Sequence, residues 1–119
     1  MYTLSKYLAF MQIQNVPFMT TDWSKIDPIE HRGEQGKALW RTLEVGNIRV
    51  RMVEYTPGYI ADHWCSRGHV LFVLEGTLLT ELEDGRKFTM TPGMSYQVAS
   101  NAEPHRSSTD TGAKLFIVD

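Results

Sequence analysis

The sequence has only one cysteine, Cys65, among its 119 residues. A single thiol cannot close an intramolecular disulfide, so oxidative stapling of the fold is excluded. This usage predicts a reducing compartment, and hence a cytoplasmic protein, or a thiol kept for another purpose. A chain of this length can bury a core without disulfides, and it is predicted to form one domain.

Runs of basic residues and long apolar segments are also lacking. The net charge is −2, and the lysines and arginines are scattered singly. This pattern does not favour a nucleic-acid surface or an anionic membrane surface. The segment 1–18 is too polar to span a bilayer and has neither the continuous apolar core nor the small-residue cleavage site of a signal peptide. We therefore expect no nucleic-acid or membrane partner.

What the sequence does contain, from Lys37 onward, is a series of short alternating segments separated by turn signals. "IRVRMVEY" (48–55) alternates apolar with polar residues, and Asp84-Gly85 is typical of a hairpin turn. The break at Glu75-Gly76 predicts another hairpin. The pattern indicates an all-β sandwich or small barrel over 37–119, preceded by an N-terminal arm and covering loop over 1–36. Asp22 or Thr21 is expected to cap a short turn in that loop.

Two of the four histidines and the cysteine lie within seven residues, in "HWCSRGH" (63–69). His63 and Cys65 are two positions apart, so an extended chain directs both side chains to one face. His69 has the same parity as the apolar Leu71 of the next strand and is expected to face the interior. A barrel would return His105 to the same place. His31, in the covering loop, is not expected to be a ligand.

The chain from about Gly58 resembles a cupin. The first cupin motif consists of Gly, a spacer, His-x-His, three or four residues, Glu, six residues and Gly. Here Cys65 takes the second His position, His69 takes the Glu position, and the spacing from His63 to Gly76 matches. The second motif is matched loosely: its Pro and Gly are missing, and His105 is one residue late. The chain also resembles a smaller cupin group named for an Asp-His-Cys-Trp motif, although the order here is Asp62-His63-Trp64-Cys65.

This resemblance implies a double-stranded β-helix (jelly-roll) barrel, commonly dimeric, with a metal held inside the barrel mouth. The predicted ligands are His63, Cys65, His69 and His105. Three imidazoles and one thiolate suit a divalent ion, zinc first, with nickel, iron or copper as alternatives. Four protein ligands on a tetrahedral ion would leave no open position, which favours a structural or sensing site.

Three functions stay open, because a fold does not fix a function. The first is a metal-binding cupin with a small-molecule pocket. The second is a metal-dependent enzyme of dioxygenase, isomerase or lyase type acting on a small organic acid, sugar or aromatic compound. The third is a metal-free binding barrel. Tyr96 and Arg106 are candidate pocket residues, whereas Arg49 and Arg51 are expected to lie on a solvated strand face.

The N-terminal arm is rich in apolar side chains, more than a free tail tolerates. We expect a homodimer in which this arm covers a sheet of its own barrel or of its partner. Four further apolar residues are expected in the core: Trp40, Met52, Phe72 and Met94.

Overall fold

The computed structural model describes residues 10–119, which form nine strands and one short 3₁₀ helix. The helix spans Trp23–Lys25, and its N-cap is Asp22, whose Oδ1 accepts a hydrogen bond from the backbone N–H of Ser24 at 3.1 Å. The capping prediction is confirmed. The strands are β1 Ile29–Arg32, β2 Lys37–Val45, β3 Ile48–Tyr55, β4 His69–Gly76, β5 Leu78–Leu82, β6 Lys87–Met90, β7 Ser95–Val98, β8 His105–Ser108 and β9 Ala113–Val118.

Two antiparallel sheets make up the barrel. The larger has the order β1-β2-β3-β9-β4-β7, and the smaller has the order β6-β5-β8. Strand β9 therefore lies between β3 and β4, which are far from it in sequence. The all-β jelly-roll prediction is confirmed. Strand β1 lies inside the predicted covering loop and pairs with β2, so part of that loop extends the larger sheet.

Only one of the two predicted breaks in the middle of the chain is a hairpin turn. Asp84-Gly85 joins β5 to β6, which pair with each other. The prediction at Glu75-Gly76 was wrong, because β4 pairs with β7 and β9 and not with β5. At Gly76 the chain leaves the larger sheet for the smaller one. This crossover brings β5 and β8 opposite the strands that carry His69 and Arg51.

Strict alternation along the strands builds the core. Leu71 and Val73 of β4, Leu115 of β9 and Leu78 of β5 are the largest fully buried side chains. Phe72 lies with Val70 on the outer face of β4, opposite Leu71 and Val73, and is exposed. Met94 is exposed as well. Their assignment to the core was therefore wrong. Trp40 is partly buried and packs against the core cluster.

The described part of the arm is attached to the turn between β2 and β3. The Asn47 side chain accepts a hydrogen bond from the backbone N–H of Gln14 at 2.7 Å and donates one to the carbonyl of Gln12 at 2.9 Å. Phe18 is nevertheless 98% exposed, and Met11 and Ile13 are exposed as well. The earlier apolar residues of the arm, from Tyr2 to Leu8, lie outside the described residues. Within residues 10–119 no helix has the length and apolarity needed to cross a membrane.

Candidate metal centre

Three of the four predicted ligands converge inside the barrel. The ligand atoms of Cys65, His69 and His105 all lie within 4.8 Å of one another. Cys65 and His105 form an isolated β-bridge, with backbone hydrogen bonds of 2.7 and 3.0 Å in the two directions. His69 begins β4, and its Nε2 lies 3.1 Å from the Nε2 of His105. The bridge joins Cys65 to β8 of the smaller sheet, and His69 begins β4 of the larger sheet. The two sheets together therefore bring the three donors to one place.

The hydrogen bonds of His105 set its tautomer. Its Nδ1 donates to the carbonyl oxygen of Glu103 at 2.9 Å. This leaves Nε2, which faces His69, as the nitrogen with an available lone pair. The side-chain hydrogen bond between His105 and Cys65 lowers the pKa of the thiol, against the effect of burial, and the same bond raises the pKa of His105. The lowered pKa brings the thiol closer to ionisation, and the thiolate is the form of cysteine that binds metals.

His69 is kept neutral by its surroundings. Burial lowers the pKa of His69 to about 4, and the neighbouring His105 acts in the same direction. Its Nδ1 is buried, has no hydrogen-bond partner among residues 10–119, and lies 3.6 Å from the Asp119 Oδ2. The other ring nitrogen, Nε2, lies 2.9 Å from the Tyr96 hydroxyl, within hydrogen-bond distance. A neutral imidazole with its Nδ1 directed toward a carboxylate is a common arrangement behind a metal-bound histidine.

Asp119 was missed by the sequence interpretation. Its side chain is only 1% exposed, and it accepts hydrogen bonds from Arg49 at 2.8 and 2.9 Å and from Arg51 at 3.1 Å. Burial alone would raise its pKa, yet the bonds from Arg49 and the charge of Arg51 bring the pKa below the usual value. A signal was available: Asp119 continues the inward parity of Leu115 and Ile117 on β9.

His63 lies at the same cavity, although its ring atoms are not part of the compact group. Its side chain is 72% exposed, and its Nδ1 lies 2.6 Å from the Asp62 Oδ1. The structure therefore places His63 at the mouth, apart from the three donors deeper inside. His31 stacks on Trp40 at 3.9 Å between ring centroids and is likewise not part of the group.

A cavity of about 220 Å³ adjoins the three donors. The expected pocket residues Tyr96 and Arg106 both line it, and the Arg106 guanidinium lies 4.7 Å from the centre of the Trp64 ring. Arg49 and Arg51 also line it, and Arg51 is only 5% exposed. The prediction of a solvated face for these arginines was wrong, because β3 directs Arg51, Val53 and Tyr55 inward together.

The donors fit a divalent ion. Ligand atoms at about 2.0–2.3 Å from a tetrahedral zinc are separated by about 3.3–3.8 Å, close to the 3.1 Å between the two imidazole nitrogens. A thiolate with two neutral imidazoles suits zinc and other borderline ions better than calcium or magnesium. The buried Nδ1 of His69, which has no hydrogen-bond partner among residues 10–119, also fits. With Nε2 bound to an ion, Nδ1 would carry the proton and direct it toward the Asp119 carboxylate.

Solved structures share this architecture. A cupin-superfamily sugar phosphate isomerase from Silicibacter pomeroyi is 19% identical, with a TM-score of 0.68, and the match covers 84% of this chain and 74% of that one. Ectoine synthase from P. lautus is 18% identical, with a TM-score of 0.69 and coverage of 85% and 76%. A protein described as a predicted oxalate decarboxylase from Thermotoga maritima is 14% identical, with a TM-score of 0.70 and coverage of 84% and 96%. These identities show the fold alone.

No curated protein matches the sequence. The likeness to the Asp-His-Cys-Trp group depends on the letters at 62–65 and stays a prediction. The family model of the cupin domain, in contrast, matches residues 51–119, which are more than half of the chain and include all three donors. Together with the jelly-roll topology, this match shows that the chain belongs to the cupin family.

Proposed function

We propose that this cupin binds a divalent metal ion, zinc first, and uses it to hold a small molecule in the barrel. The observation that carries the proposal is the compact group of Cys65, His69 and His105 at the wall of a cavity. His69 faces this cavity as a neutral imidazole, the form that binds a metal. When bound, the ion would supply a Lewis-acid centre for a ligand oxygen or nitrogen.

His63 is the proposed fourth ligand. It lines the cavity with an exposed side chain whose Nδ1 contacts Asp62, so this side chain would have to move to join the other donors. With His63 bound, four protein ligands fill the coordination positions of the ion, and the site is structural or sensing. Without it, the fourth position is open to water or to the small molecule.

A metal-dependent enzyme is the second candidate, and Tyr96 favours it. Its hydroxyl lies 2.9 Å from the Nε2 of His69, and burial raises the pKa of the phenol, so the group stays protonated. A protonated phenol beside the ion can donate a hydrogen bond or a proton to a bound molecule. The metal-free binding barrel is the third candidate, and it is the one left if the following experiment finds no metal.

Metal content of the purified protein tests the proposal. We expect about one equivalent of a divalent ion in the wild type and near background in the His105→Ala variant, because removing a donor weakens metal binding strongly. The matched control is His31→Ala, which removes a histidine that is not part of the compact group. Elemental analysis by mass spectrometry is the measurement.

Two results would contradict this proposal. One is a wild type that holds no stoichiometric metal even after reconstitution with zinc, nickel, iron or copper. The other is His105→Ala retaining as much ion as His31→Ala. The His63→Ala variant, measured in parallel, decides whether the site has three protein ligands or four.

The proposed assembly is a homodimer of a cytoplasmic protein with no nucleic-acid partner. Exposed apolar residues in the arm support the dimer, and so does the outer face of β4, where Val70, Phe72 and Leu74 are exposed. Light scattering is expected to give twice the chain mass for the full chain and a smaller mass after deletion of residues 1–20. Monomers of both forms at micromolar concentration would contradict the dimer.

A further inference from the structure

The cavity beside the metal centre is lined by arginines and, among residues 10–119, by no aspartate or glutamate. Arg49, Arg51 and Arg67 all line it, and all three are directed at one side-chain carboxylate, that of Asp119. The distance from Arg67 is 3.9 Å, so that contact is weak. The cavity wall is therefore positively charged, and the carboxylate that Arg51 uses is shared with two other guanidinium groups.

Arg51 is the least satisfied of the three. A guanidinium has five N–H donors. Within residues 10–119 the structure gives Arg51 one hydrogen-bond partner, Asp119, and its Nε is buried without any. A buried cation with unused donors is costly unless something pairs with it. Burial and the neighbouring Arg49 lower its pKa, as expected for a cation without sufficient compensation.

The guanidinium is also held in place. It lies 4.4 Å from the centre of the Trp40 ring, which limits the rotation of the guanidinium. Asp119 accepts a hydrogen bond from one of its terminal nitrogens. Asp119 in turn lies 3.6 Å from the ring of His69. A negative group paired with Arg51 would therefore lie in the same cavity as the three metal-ligating candidates, separated from them by a single side chain.

Arg106 is a weaker candidate for this role. Its side chain is partly exposed, and the carboxylates of Glu81 and Glu34 lie 3.6 and 3.9 Å from its nitrogens. Two acidic groups already compensate it, whereas the one hydrogen-bond partner that residues 10–119 give Arg51, Asp119, is shared with Arg49.

The rest of the cavity wall is largely aromatic and aliphatic. Tyr55 and Tyr59 stack with 4.2 Å between ring centroids, and Tyr96, Leu71 and Ile117 complete the lining. Such a wall suits a carbon skeleton, while the guanidinium N–H donors that Asp119 leaves unused suit a carboxylate. Inorganic phosphate would satisfy these donors and leave the apolar wall unused.

We infer that the small molecule held in this barrel is an organic carboxylate, whose carboxylate pairs with Arg51 while its carbon skeleton packs on the tyrosines beside the metal centre. This inference rests on the proposed function, because it names the ligand class of the same site.

Calorimetric binding of benzoate and benzamide tests the inference, since the two have nearly the same shape and differ in charge. The full chain is used as purified, with metal content measured on every sample. We expect wild type to favour benzoate by on the order of tenfold or more, the range of a charged hydrogen-bonded pair. In Arg51→Met the preference should fall to about one.

Two further variants make the result specific. Arg51→Lys keeps the positive charge but lacks the planar guanidinium donors, and it is expected to retain part of the preference for benzoate. It therefore replaces Arg51→Met in the test if that variant folds poorly. Arg32→Gln removes an exposed arginine from β1, outside the cavity, and should keep the wild-type preference within about twofold.

The inference is overturned if benzoate and benzamide bind equally to wild type or neither binds. It is also overturned if Arg51→Met keeps the benzoate preference, or if inorganic phosphate alone binds and needs Arg51. Metal content separates these failures from that of the proposed function. Metal-loaded protein without carboxylate binding overturns only the ligand class, whereas carboxylate binding by protein that takes up no metal even after reconstitution overturns the metal proposal.

Discussion

Chelation of the metal is expected to make the Cys65 thiol react faster with a thiol reagent, by on the order of tenfold or more, because a metal-bound thiolate is shielded from electrophiles. The same treatment should lower the melting temperature. An ion at about 1,000 times its dissociation constant contributes about 4 kcal/mol to stability, which corresponds to about 10 °C or more. Because the chain has one cysteine, labelling reports on this position alone.

The contrast with an ordinary core cysteine is sharp. A buried thiol outside a metal site would react slowly with or without chelator. In the metal-free protein, the His105 hydrogen bond lowers the pKa of Cys65, so more of the thiol is ionised near neutral pH than in a free cysteine. His105→Gln in the metal-free protein should therefore slow the labelling.

An unchanged labelling rate, on protein shown to carry stoichiometric metal, would remove Cys65 from the ligand set. His69 and His105 would then need His63 as the third donor, with one position open to a ligand. Cys65→Ser gives an independent measurement, since it should lower metal retention and melting temperature together if the thiolate is a ligand.

Local alternation was sufficient to predict most strands. The segment "IRVRMVEY" was predicted as one strand, and β3 has the bounds Ile48–Tyr55. The parity argument for His69 also holds, because Leu71 and Val73 beside it are buried. These features depend on neighbours in sequence, where side-chain direction follows directly from the two-residue period of a strand.

Features set by distant partners were harder to predict. Arg51 was expected in solvent because a charged residue in an alternating strand normally faces water. Its inward position is stabilised by Asp119, which is 68 residues away. Nothing near position 51 in the sequence indicates that partner. The direction of β3 could have been recognised only from Val53 and Tyr55, which share the parity of Arg51 and are apolar or amphipathic.

The crossover at Gly76 was missed for the same reason. A Glu-Gly pair between two apolar segments is typical of a turn, and only the pairing of β4 with β9 and β7 shows that the next strand joins the other sheet. The positive φ of Gly76, 77°, suits a hairpin as well as a change of sheet. The close approach of the β9 backbone distinguishes the two, and it is not visible in the sequence.

Gly76→Ala is expected to destabilise the fold by about 3 kcal/mol or more, because two costs combine at this position. An alanine at φ 77° is strained, and its Cβ would lie 2.0 Å from the carbonyl oxygen of Gly112. That oxygen belongs to the backbone preceding β9 and cannot move without shifting a strand beside Leu115. Chemical denaturation of the chelated protein, which removes the metal contribution, is the measurement.

Gly93→Ala is the matched control, since Gly93 has a φ of 93° but an alanine Cβ there would have no atom within 4 Å from residues 10–119, its chain neighbours aside. It carries the conformational cost alone, about 1–2 kcal/mol. The difference between the two variants therefore isolates the close contact of β4 with the Gly112 backbone. Equal losses of unfolding free energy, at an unchanged denaturant slope, would show that the strands can separate at Gly76 without cost and would contradict a tight crossover there.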